Sequence, residues 1–344
     1  MHSSLSNTRI SGLAVSTGSV VRDFRADGLA AGDDPAQLER VAKAIGLRER
    51  RVAAPGVTTL DLCEDAARRL LEEMAVDPTS IDALIFVTQT PDYLQPNNSS
   101  LLQARLGLCK SVAAFDITQG CSGWIYGLHQ AALLCSHGAA RVLVCTGDTL
   151  SRQTDPKDAA THPIFGDAGS ATLVEKTGSE SAMHFIFGTD GSGAPAIMVP
   201  TGGARQPVAV GAPGAWLQRD GAEVFHLALR EVPPAVAGVL KLAGWTPSTT
   251  DRLVLHQANR FMVASLARKC GFPDEKCPMD LGEQFGNQSS ASIPAALVHA
   301  CGSTLQEQTL KIAACGYGVG LSWGAAAFTV GPVVVPPMLP FPRH

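Results

Sequence analysis

The residues of this sequence with the most reactive surroundings are a cysteine, a histidine and an asparagine. Cys121 lies in Gln-Gly-Cys-Ser-Gly, directly before an apolar stretch typical of a buried helix. A thiol at the start of a helix faces the positive end of the helix dipole and free backbone N–H groups, and both favour the nucleophilic thiolate. The alternative is one more small, buried, unreactive side chain. Cys121 is therefore a candidate nucleophile.

His256 and Asn287 are the second and third candidates. His256 ends the apolar run Leu-Val-Leu-His, and Asn287 lies in Phe-Gly-Asn-Gln-Ser before an alanine-rich helical stretch. Taken singly, a core histidine and a helix cap or turn are the ordinary explanations. All three candidates, however, lie at predicted strand-to-helix junctions, and open α/β sheets bind ligands at the carboxyl ends of their strands. We therefore expect them to share one cleft.

The glycine-rich segment 316–324, Gly-Tyr-Gly-Val-Gly-Leu-Ser-Trp-Gly, is a candidate anion-binding turn. It matches a dinucleotide-binding loop only loosely, and no acidic residue follows about twenty positions later. A tight turn that presents backbone N–H groups to an oxyanion is more natural. A metal site is not predicted, because Cys270 and Cys277 lack a second ligand pair. The remaining histidines that we considered are treated as structural: His129, His137 and His162.

An internal repeat supplies the elements that must position these residues. Residues 76–86 match residues 245–255, so that Asp82 aligns with Asp251 at an offset of 169 residues. Each copy follows a helical stretch and ends in a short run typical of a buried strand. Three later pairs of blocks keep the same order: 120–121 with 286–287, 141–145 with 311–315, and 169–174 with 323–328. The sequence therefore predicts one α/β unit used twice, with halves at 1–176 and 177–344 joined by an apolar, permanent interface.

Composition excludes several classes of protein. The 344 residues are 45% hydrophobic and 17% charged, which excludes a disordered chain. The net charge of −4 provides no basic field for nucleic acid. No apolar run is long enough to span a membrane, and no secretory signal is recognisable. Nine cysteines without an export signal predict a reducing compartment, and we expect a cytoplasmic location.

Together these segments resemble the thiolase-like condensing enzymes, and within them the β-ketoacyl-ACP synthase III family. The segments that carry the resemblance are QGCSGWIYGL around Cys121, LHQANRF around His256, FGNQSSASIP around Asn287, GYGVGLSWGAA near the C-terminus, GLRERRVAAPG (46–56) and FGDAGSATLV (165–174). The resemblance covers about residues 10–330. It implies the duplicated thiolase fold, a five-layer α-β-α-β-α arrangement with two similar halves, in agreement with the repeat.

The resemblance also implies a role for each candidate. Cys121 would take an acyl group from a thioester donor, and its backbone N–H and that of Val319 would bind the oxyanion. His256 and Asn287 would hydrogen-bond the thioester oxygen of malonyl-ACP while decarboxylation forms an enolate. The enolate carbon would then attack the acyl-Cys121 carbonyl. This chemistry requires no metal or organic cofactor.

The same resemblance implies partners and a substrate pocket. An acidic acyl carrier protein would dock on basic residues beside the cleft, for which Arg260 and Lys269 are candidates; ordinary solvated helix charges are the alternative reading. Gln95 and Tyr317 are expected in the wall of the acyl pocket. A homodimer is expected from the family.

Three positions depart from the usual family pattern. The family generally has a tryptophan that stacks on the adenine of coenzyme A, and Arg40 falls at about that position. An arginine that usually follows the Asp-Pro-x-Asp block is replaced by Ala159. Gln95 stands where an apolar residue normally walls the acyl pocket. These departures favour a donor carried on a protein over one on coenzyme A, although the sequence leaves acyl-CoA and acyl-ACP open as substrates. They also favour a polar or short primer or a differently shaped pocket, and a secondary-metabolite or polysaccharide-linked pathway.

Several alternatives stay open from the sequence. An acyltransferase that moves the acyl group from Cys121 to a hydroxyl or amine is the main one, although it would not need Asn287. A thiolase-type condensation would need a further base, for which Cys315 is the available thiol. Two further alternatives are a catalytically silent subunit and a Cys–His hydrolase.

Overall fold

A computed structural model of the protein describes residues 1–32, 34–178, 181–208, 212 and 214–342. Its strands are β1 (His2–Ser6), β2 (Thr8–Thr17), β3 (Val20–Asp23), β4 (Glu49–Val52), β5 (Ala83–Val87), β6 (Ala113–Ile117), β7 (Arg141–Asp148), β8 (Ala168–Lys176), β9 (Ala182–Thr189), β10 (Ile197–Met198), β11 (Gln218–Arg219), β12 (Arg252–Leu255), β13 (Leu310–Gly318), β14 (Ser322–Val330) and β15 (Leu339–Pro340). Its α-helices are α1 (Phe24–Ala31), α2 (Pro35–Ile45), α3 (Thr59–Glu73), α4 (Asn98–Leu106), α5 (Gly123–Ser136), α6 (Gly221–Ala243), α7 (Arg260–Lys269), α8 (Leu281–Phe285) and α9 (Ser292–Glu307).

Two large sheets repeat the same topology. The first has the order β15-β2-β8-β7-β5-β6, and the second has the order β1-β9-β14-β13-β12. In each, an inner parallel pair (β5 with β7, β12 with β13) continues into antiparallel partners (β8 and β2, β14 and β9). The matched sequence blocks therefore occupy equivalent strands. Each terminal strand joins the sheet of the opposite half, so a sharp domain boundary at residue 176 stays a prediction.

The hydrophobic core has three parts, which alternate with the two sheets. Helices α5 and α9 pack between the sheets, α3 and α4 cover the outer face of the first sheet, and α6 and α7 cover the outer face of the second. Neighbouring strand residues point to opposite faces: Leu84 packs in the outer core and Ile85 in the central one. The predicted five-layer arrangement is confirmed. None of the helices described is long and apolar enough to cross a bilayer.

Two of the three predicted strand-to-helix junctions are confirmed. Cys121 lies between β6 and α5, and His256 directly follows β12. The prediction is wrong for Asn287, because the short helix α8 precedes it and a 3₁₀ turn leads from it into α9. A single β-bridge to Phe165 is the remaining strand-like feature at this position. Asn287 therefore lies on a turn between the helices α8 and α9.

Candidate active site

One cavity of about 710 Å³ brings the three candidate residues together. Its wall includes Cys121, His256 and Asn287, together with Tyr317 and Val319. The two reactive side chains are almost inaccessible, with 6% of Cys121 and 2% of His256 exposed. The expectation of one shared cleft is thus met by residues from both halves of the repeat.

The surroundings of Cys121 combine close backbone contacts with strong burial. Burial is the largest influence on the thiol and raises its pKa to about 12, against the lowering effects of Ser289 and of hydrogen bonds from the backbone N–H groups of Cys121 and Val319. A side chain at Gly318 would come within 3.1 Å of the sulfur, so only glycine lets the turn approach the thiol. The thiolate expected from the helix start is disfavoured in the folded protein, because desolvation outweighs these lowering effects.

A short network fixes the tautomer of His256. The Oγ of Ser292 lies 2.6 Å from Nδ1 of His256 and accepts a bond from the backbone N–H of Gln257 at 3.5 Å. The Ser292 hydroxyl is then free to donate to Nδ1, which assigns the ring proton to Nε2. Burial lowers the pKa of His256 to about 3, although a hydrogen bond with the backbone of Ser289 raises it. His256 is therefore a neutral hydrogen-bond donor at neutral pH.

A local turn orients the side-chain amide of Asn287. Its Oδ1 accepts the backbone N–H of Ser289 at 2.9 Å. Its backbone is held as well, because its N–H donates to the carbonyl of Ile164 and its carbonyl accepts from Gly166. With Oδ1 engaged, Nδ2 remains as a donor without a partner among the residues described, and Asn287 lines the cavity. Two neutral donors, from His256 and Asn287, thus serve one site.

Sequence reasoning missed three supporting residues: Ser289, Ser292 and Asp148. The Oγ of Ser289 lies 3.9 Å from the sulfur of Cys121. The carboxylate of Asp148, at the end of β7, accepts Ser290 Oγ at 2.7 Å and the backbone N–H of Gln89 at 2.8 Å, which ties the two halves together behind the site. Burial is the main reason that the pKa of Asp148 is raised. The sequence signal for Asp148 was its position at the carboxyl end of a buried strand, where open α/β sheets bind ligands.

The two predicted pocket-wall residues differ in outcome. Tyr317 lines the cavity, and its ring packs edge-on against His256 with centroids 5.4 Å apart. The prediction that Gln95 walls the pocket is wrong. Its side chain is exposed, and Tyr93 and Leu94 of the same loop line the cavity instead. The loop turns the Gln95 side chain outward, so that its amide is not buried in the cavity of its own chain.

The two predicted carrier-binding residues lie at opposite ends of α7. Arg260 is the first residue of the helix, between the cavity residues Ala258 and Met262, and it packs over Gly46. Lys269 is the last residue, about 14 Å along the helix axis. Arg260 also borders a shallow groove that contains both signs of charge, including Lys43 and Glu283. Arg260 is therefore the one of the pair that lies next to cavity-lining residues in the sequence.

The remaining predictions concern the glycine segment, the histidines and metals. The glycine segment is the hairpin between β13 and β14, not a strand-to-helix loop, in agreement with its reading as a turn. His129 packs against two phenylalanine rings, His137 bonds Leu133 and His162 bonds Thr154. Over the described ranges, no group of three or more His, Cys, Asp or Glu could hold a metal ion.

Comparison with known proteins identifies one family throughout. Residues 115–191 match the family model for 3-oxoacyl-[acyl-carrier-protein] synthase III, and residues 240–330 match the model for its C-terminal part. The chain is 39% identical to β-ketoacyl-[acyl-carrier-protein] synthase III 3 of Streptomyces coelicolor, over 83% of this chain and 86% of that protein. It is 35% identical to β-ketoacyl-[acyl-carrier-protein] synthase III of Rhodopirellula baltica, over 84% and 89%. A crystal structure of 3-oxoacyl-(acyl-carrier protein) synthase from Burkholderia xenovorans superposes with a TM-score of 0.94 at 38% identity, over 98% of this chain and 99% of that one.

Proposed function

The chain belongs to the β-ketoacyl-[acyl-carrier-protein] synthase III family, and from that premise we propose that it catalyses a decarboxylative condensation of two acyl thioesters. The observation that carries the proposal is the meeting of Cys121, His256 and Asn287 in one cavity. The fold is the thiolase fold of these synthases. Each side chain then has a definite task in one of two half-reactions.

The first half-reaction transfers an acyl group to Cys121. The sulfur attacks the carbonyl carbon of the donor thioester, and the resulting oxyanion binds the N–H groups of Cys121 and Val319. The bond from carbon to the donor sulfur breaks, and the proton of the Cys121 thiol passes to the departing thiolate. Because burial raises the pKa of this thiol, deprotonation must accompany attack on the bound donor. The product is an acyl thioester on Cys121.

The second half-reaction extends that acyl group. Malonyl-ACP loses CO₂, and its thioester oxygen becomes an enolate oxygen that accepts hydrogen bonds from His256 and Asn287. The enolate carbon forms a bond to the acyl carbonyl carbon, and the thiolate of Cys121 leaves and is reprotonated by solvent. A neutral imidazole suits this step, because an imidazolium would protonate the carbanion. Burial keeps His256 neutral by lowering its pKa to about 3.

Acyl transfer to a hydroxyl or amine is the second candidate function. It would use Cys121 and the oxyanion N–H groups, with His256 as a base, but it would leave Asn287 without a task. The oriented amide of Asn287 therefore favours condensation. A base role for Cys315 has less support, since this thiol is buried and bonds the adjacent Gly316 carbonyl.

Intact-protein mass spectrometry tests the proposal. The enzyme is incubated with acyl donors on coenzyme A, on carrier protein and on N-acetylcysteamine, and is then chased with malonyl carrier protein. We expect an adduct on Cys121 that the chase removes as a β-ketoacyl thioester. Cys121→Ala should give no adduct, whereas Cys109→Ala, at a half-buried cysteine far from the cavity lining, should give it normally. An adduct that malonyl carrier protein leaves untouched would favour the acyltransferase.

We also infer the surroundings in which this reaction takes place. The absence of an adenine-stacking tryptophan near Arg40 and of the arginine replaced by Ala159 supports a donor on a carrier protein and a specialised pathway. Arg260, between the cavity-lining residues Ala258 and Met262 in the sequence, supports docking of an acidic carrier. The exposed loop side chains Tyr93 and Leu94, the latter 94% exposed, support a homodimer in which this loop is covered. A cytoplasmic location stays a prediction from the sequence.

A further inference from the structure

An arginine in the cavity wall has no carboxylate in direct contact among the described residues. Arg219 of β11 pairs with Ile197 of β10, and directly opposed residues of such a pair point to the same face. Ile197 is 5% exposed and lines the cavity, as Arg219 does. The guanidinium therefore lies on the inner face of this pair of strands, in the same cavity as Cys121. Burial is the main cause of its lowered pKa.

The hydrogen bonds of Arg219 are incomplete. Its Nη2 donates to the carbonyl of Ala160 at 3.2 Å, but its Nε is fully buried and has no partner. Two carboxylates influence its charge from nearby, and both are engaged elsewhere. Asp158 accepts the backbone N–H of Ala160 at 2.9 Å, and Asp220 caps α6 through Ala222 and Glu223. A half-buried cation with no carboxylate in direct contact among the described residues is costly, so this cavity provides a place for an anion.

Two further polar atoms of the same cavity wall are unpartnered. Thr201 Oγ1 and the Tyr317 hydroxyl are both buried without a hydrogen bond among the residues described. Each can donate a hydrogen bond, as the guanidinium does. Much of the remaining wall is apolar, with Leu150, Phe165 and Leu217 among its residues. A largely apolar pocket with a few unpaired donors fits an aliphatic ligand that carries a hydrogen-bond acceptor.

We propose that Arg219, together with Thr201 and Tyr317, forms a subsite for a carboxylate carried by the acyl chain that is transferred to Cys121. The inference rests on the proposed function and deepens it by naming the primer class: an acyl thioester whose chain ends in a carboxylate. Arg219 would then discriminate this class from a plain alkyl chain. It positions and selects the primer and takes no part in bond making.

Two other anions of the reaction fit the subsite less well. The phosphate of a carrier protein's prosthetic arm must stay near the surface, because the carrier itself cannot enter, whereas the Nε of Arg219 is buried. The malonyl carboxylate leaves as CO₂, and a cation that stabilises it before the reaction would slow its departure. A carboxylate on the primer avoids both conflicts. It is also a group that a guanidinium binds with well-matched geometry.

The test compares matched donors in the first half-reaction alone. Succinyl, glutaryl and adipyl thioesters of N-acetylcysteamine, which carry no phosphate, are compared with butyryl, valeryl and hexanoyl thioesters and with the neutral terminal amides of the diacids. Acylation of Cys121 is timed by intact-protein mass spectrometry. We expect at least one diacid donor to react about tenfold or more faster than its amide and alkyl counterparts. In Arg219→Met that preference should disappear, and the alkyl donors should react at their original rate.

Further variants keep the test decisive. Arg219→Lys should retain part of the preference, and Thr201→Val and Tyr317→Phe should each reduce it. Arg205→Met, which removes an exposed arginine of the neighbouring loop, should leave it unchanged. Equal rates for diacid and neutral donors in the wild type would overturn the inference while the proposed function stands. If Arg219→Met slowed acylation only from coenzyme A and carrier-protein thioesters, Arg219 would be assigned to phosphate binding, and the inference would be overturned too. Failure of every donor to acylate Cys121 would remove the proposed function itself, and this inference with it.

Discussion

The two halves of the molecule use the same scaffold for opposite tasks. Helices α5 and α9 are equivalent in the repeat, and Cys121 and Asn287 lie at the approaches to their first turns. In the proposed reaction, the first half contributes the atom that forms covalent bonds, and the second contributes donors that bind an oxygen. His256 follows β12, whereas its counterpart in the repeat is the buried, apolar Val87 that ends β5. The duplicated backbone thus fixes where side chains meet, and single substitutions decide what each half does.

This division of labour predicts that the two half-reactions can be separated by mutation. The largest effect is expected for Asn287→Asp, which keeps the oxygen that accepts from Ser289 but replaces the Nδ2 donor with an oxygen. Loss of one oxyanion donor costs about 2.7–4 kcal/mol of transition-state stabilisation. Condensation with malonyl carrier protein should therefore slow by about 10²–10³-fold. Rapid-quench measurement of each half-reaction separately gives the two rates.

Acylation of Cys121 is the internal control for that variant. Its oxyanion binds the N–H groups of Cys121 and Val319 and does not need the amide of Asn287. The acylation rate of Asn287→Asp should stay close to that of the wild type. If both half-reactions slow equally, the second half of the molecule does more than bind the enolate, and the comparison drawn above fails.

A smaller effect is expected from the residue that orients His256. Ser292→Ala removes the hydroxyl that donates to Nδ1, so that the imidazole loses its fixed tautomer. A hydrogen bond of this kind contributes about 1–1.5 kcal/mol, which corresponds to roughly a tenfold slower condensation. The effect is measured as the rate of malonyl decarboxylation, monitored through CO₂ release at several pH values. Ser292→Thr keeps the hydroxyl and should recover most of the rate; an equally slow Ser292→Thr variant would assign the loss to packing at the start of α9.

The sequence predicted the repeat and the three reactive residues for related physical reasons. Strands buried on both faces read as continuous apolar runs, so residues 76–86 and 245–255 stood out together. Polar or reactive residues directly after such runs lie at sheet edges where ligands bind, which selected Cys121 and His256. Asn287 lines the cavity as expected, but the strand expected before it is the helix α8.

Features that depend on long-range packing were not accessible from the sequence. The direction of the Gln95 side chain follows from the path of a loop, and no local pattern encodes it. The ionisation of Cys121 was expected from the helix start, whereas burial of the thiol in the folded cavity outweighs the lowering effect of Ser289 and raises its pKa. Ser292 and Asp148 resembled ordinary helix-start and strand-end residues until their partners 36 and 142 residues away were known. Arg219 similarly had no signal, since its missing counter-ion is a property of the folded cavity.

The last prediction concerns stability rather than rate, and it sharpens the contrast between His256 and Val87. Burial lowers the pKa of His256 to about 3 in the folded protein, against about 6.5 in an unfolded chain. Between these values the unfolded chain binds a proton that the native protein does not, so the free energy of unfolding falls as the pH is lowered below about 6.5. At pH 5 the loss from this group amounts to about 2 kcal/mol relative to pH 7.

Urea unfolding at pH 7 and pH 5 measures this difference. His256→Gln, which cannot titrate, should lose about 2 kcal/mol less stability over this interval than the wild type. Because other buried groups are present in both proteins, their contributions cancel in the comparison. Replacing the exposed His2 by Gln is the matched control and should leave the pH dependence of the wild type unchanged. If His256→Gln and the wild type lose the same stability, burial does not lower the pKa of His256, and the ring would gain its proton near its ordinary pKa instead of remaining a neutral donor down to pH 5.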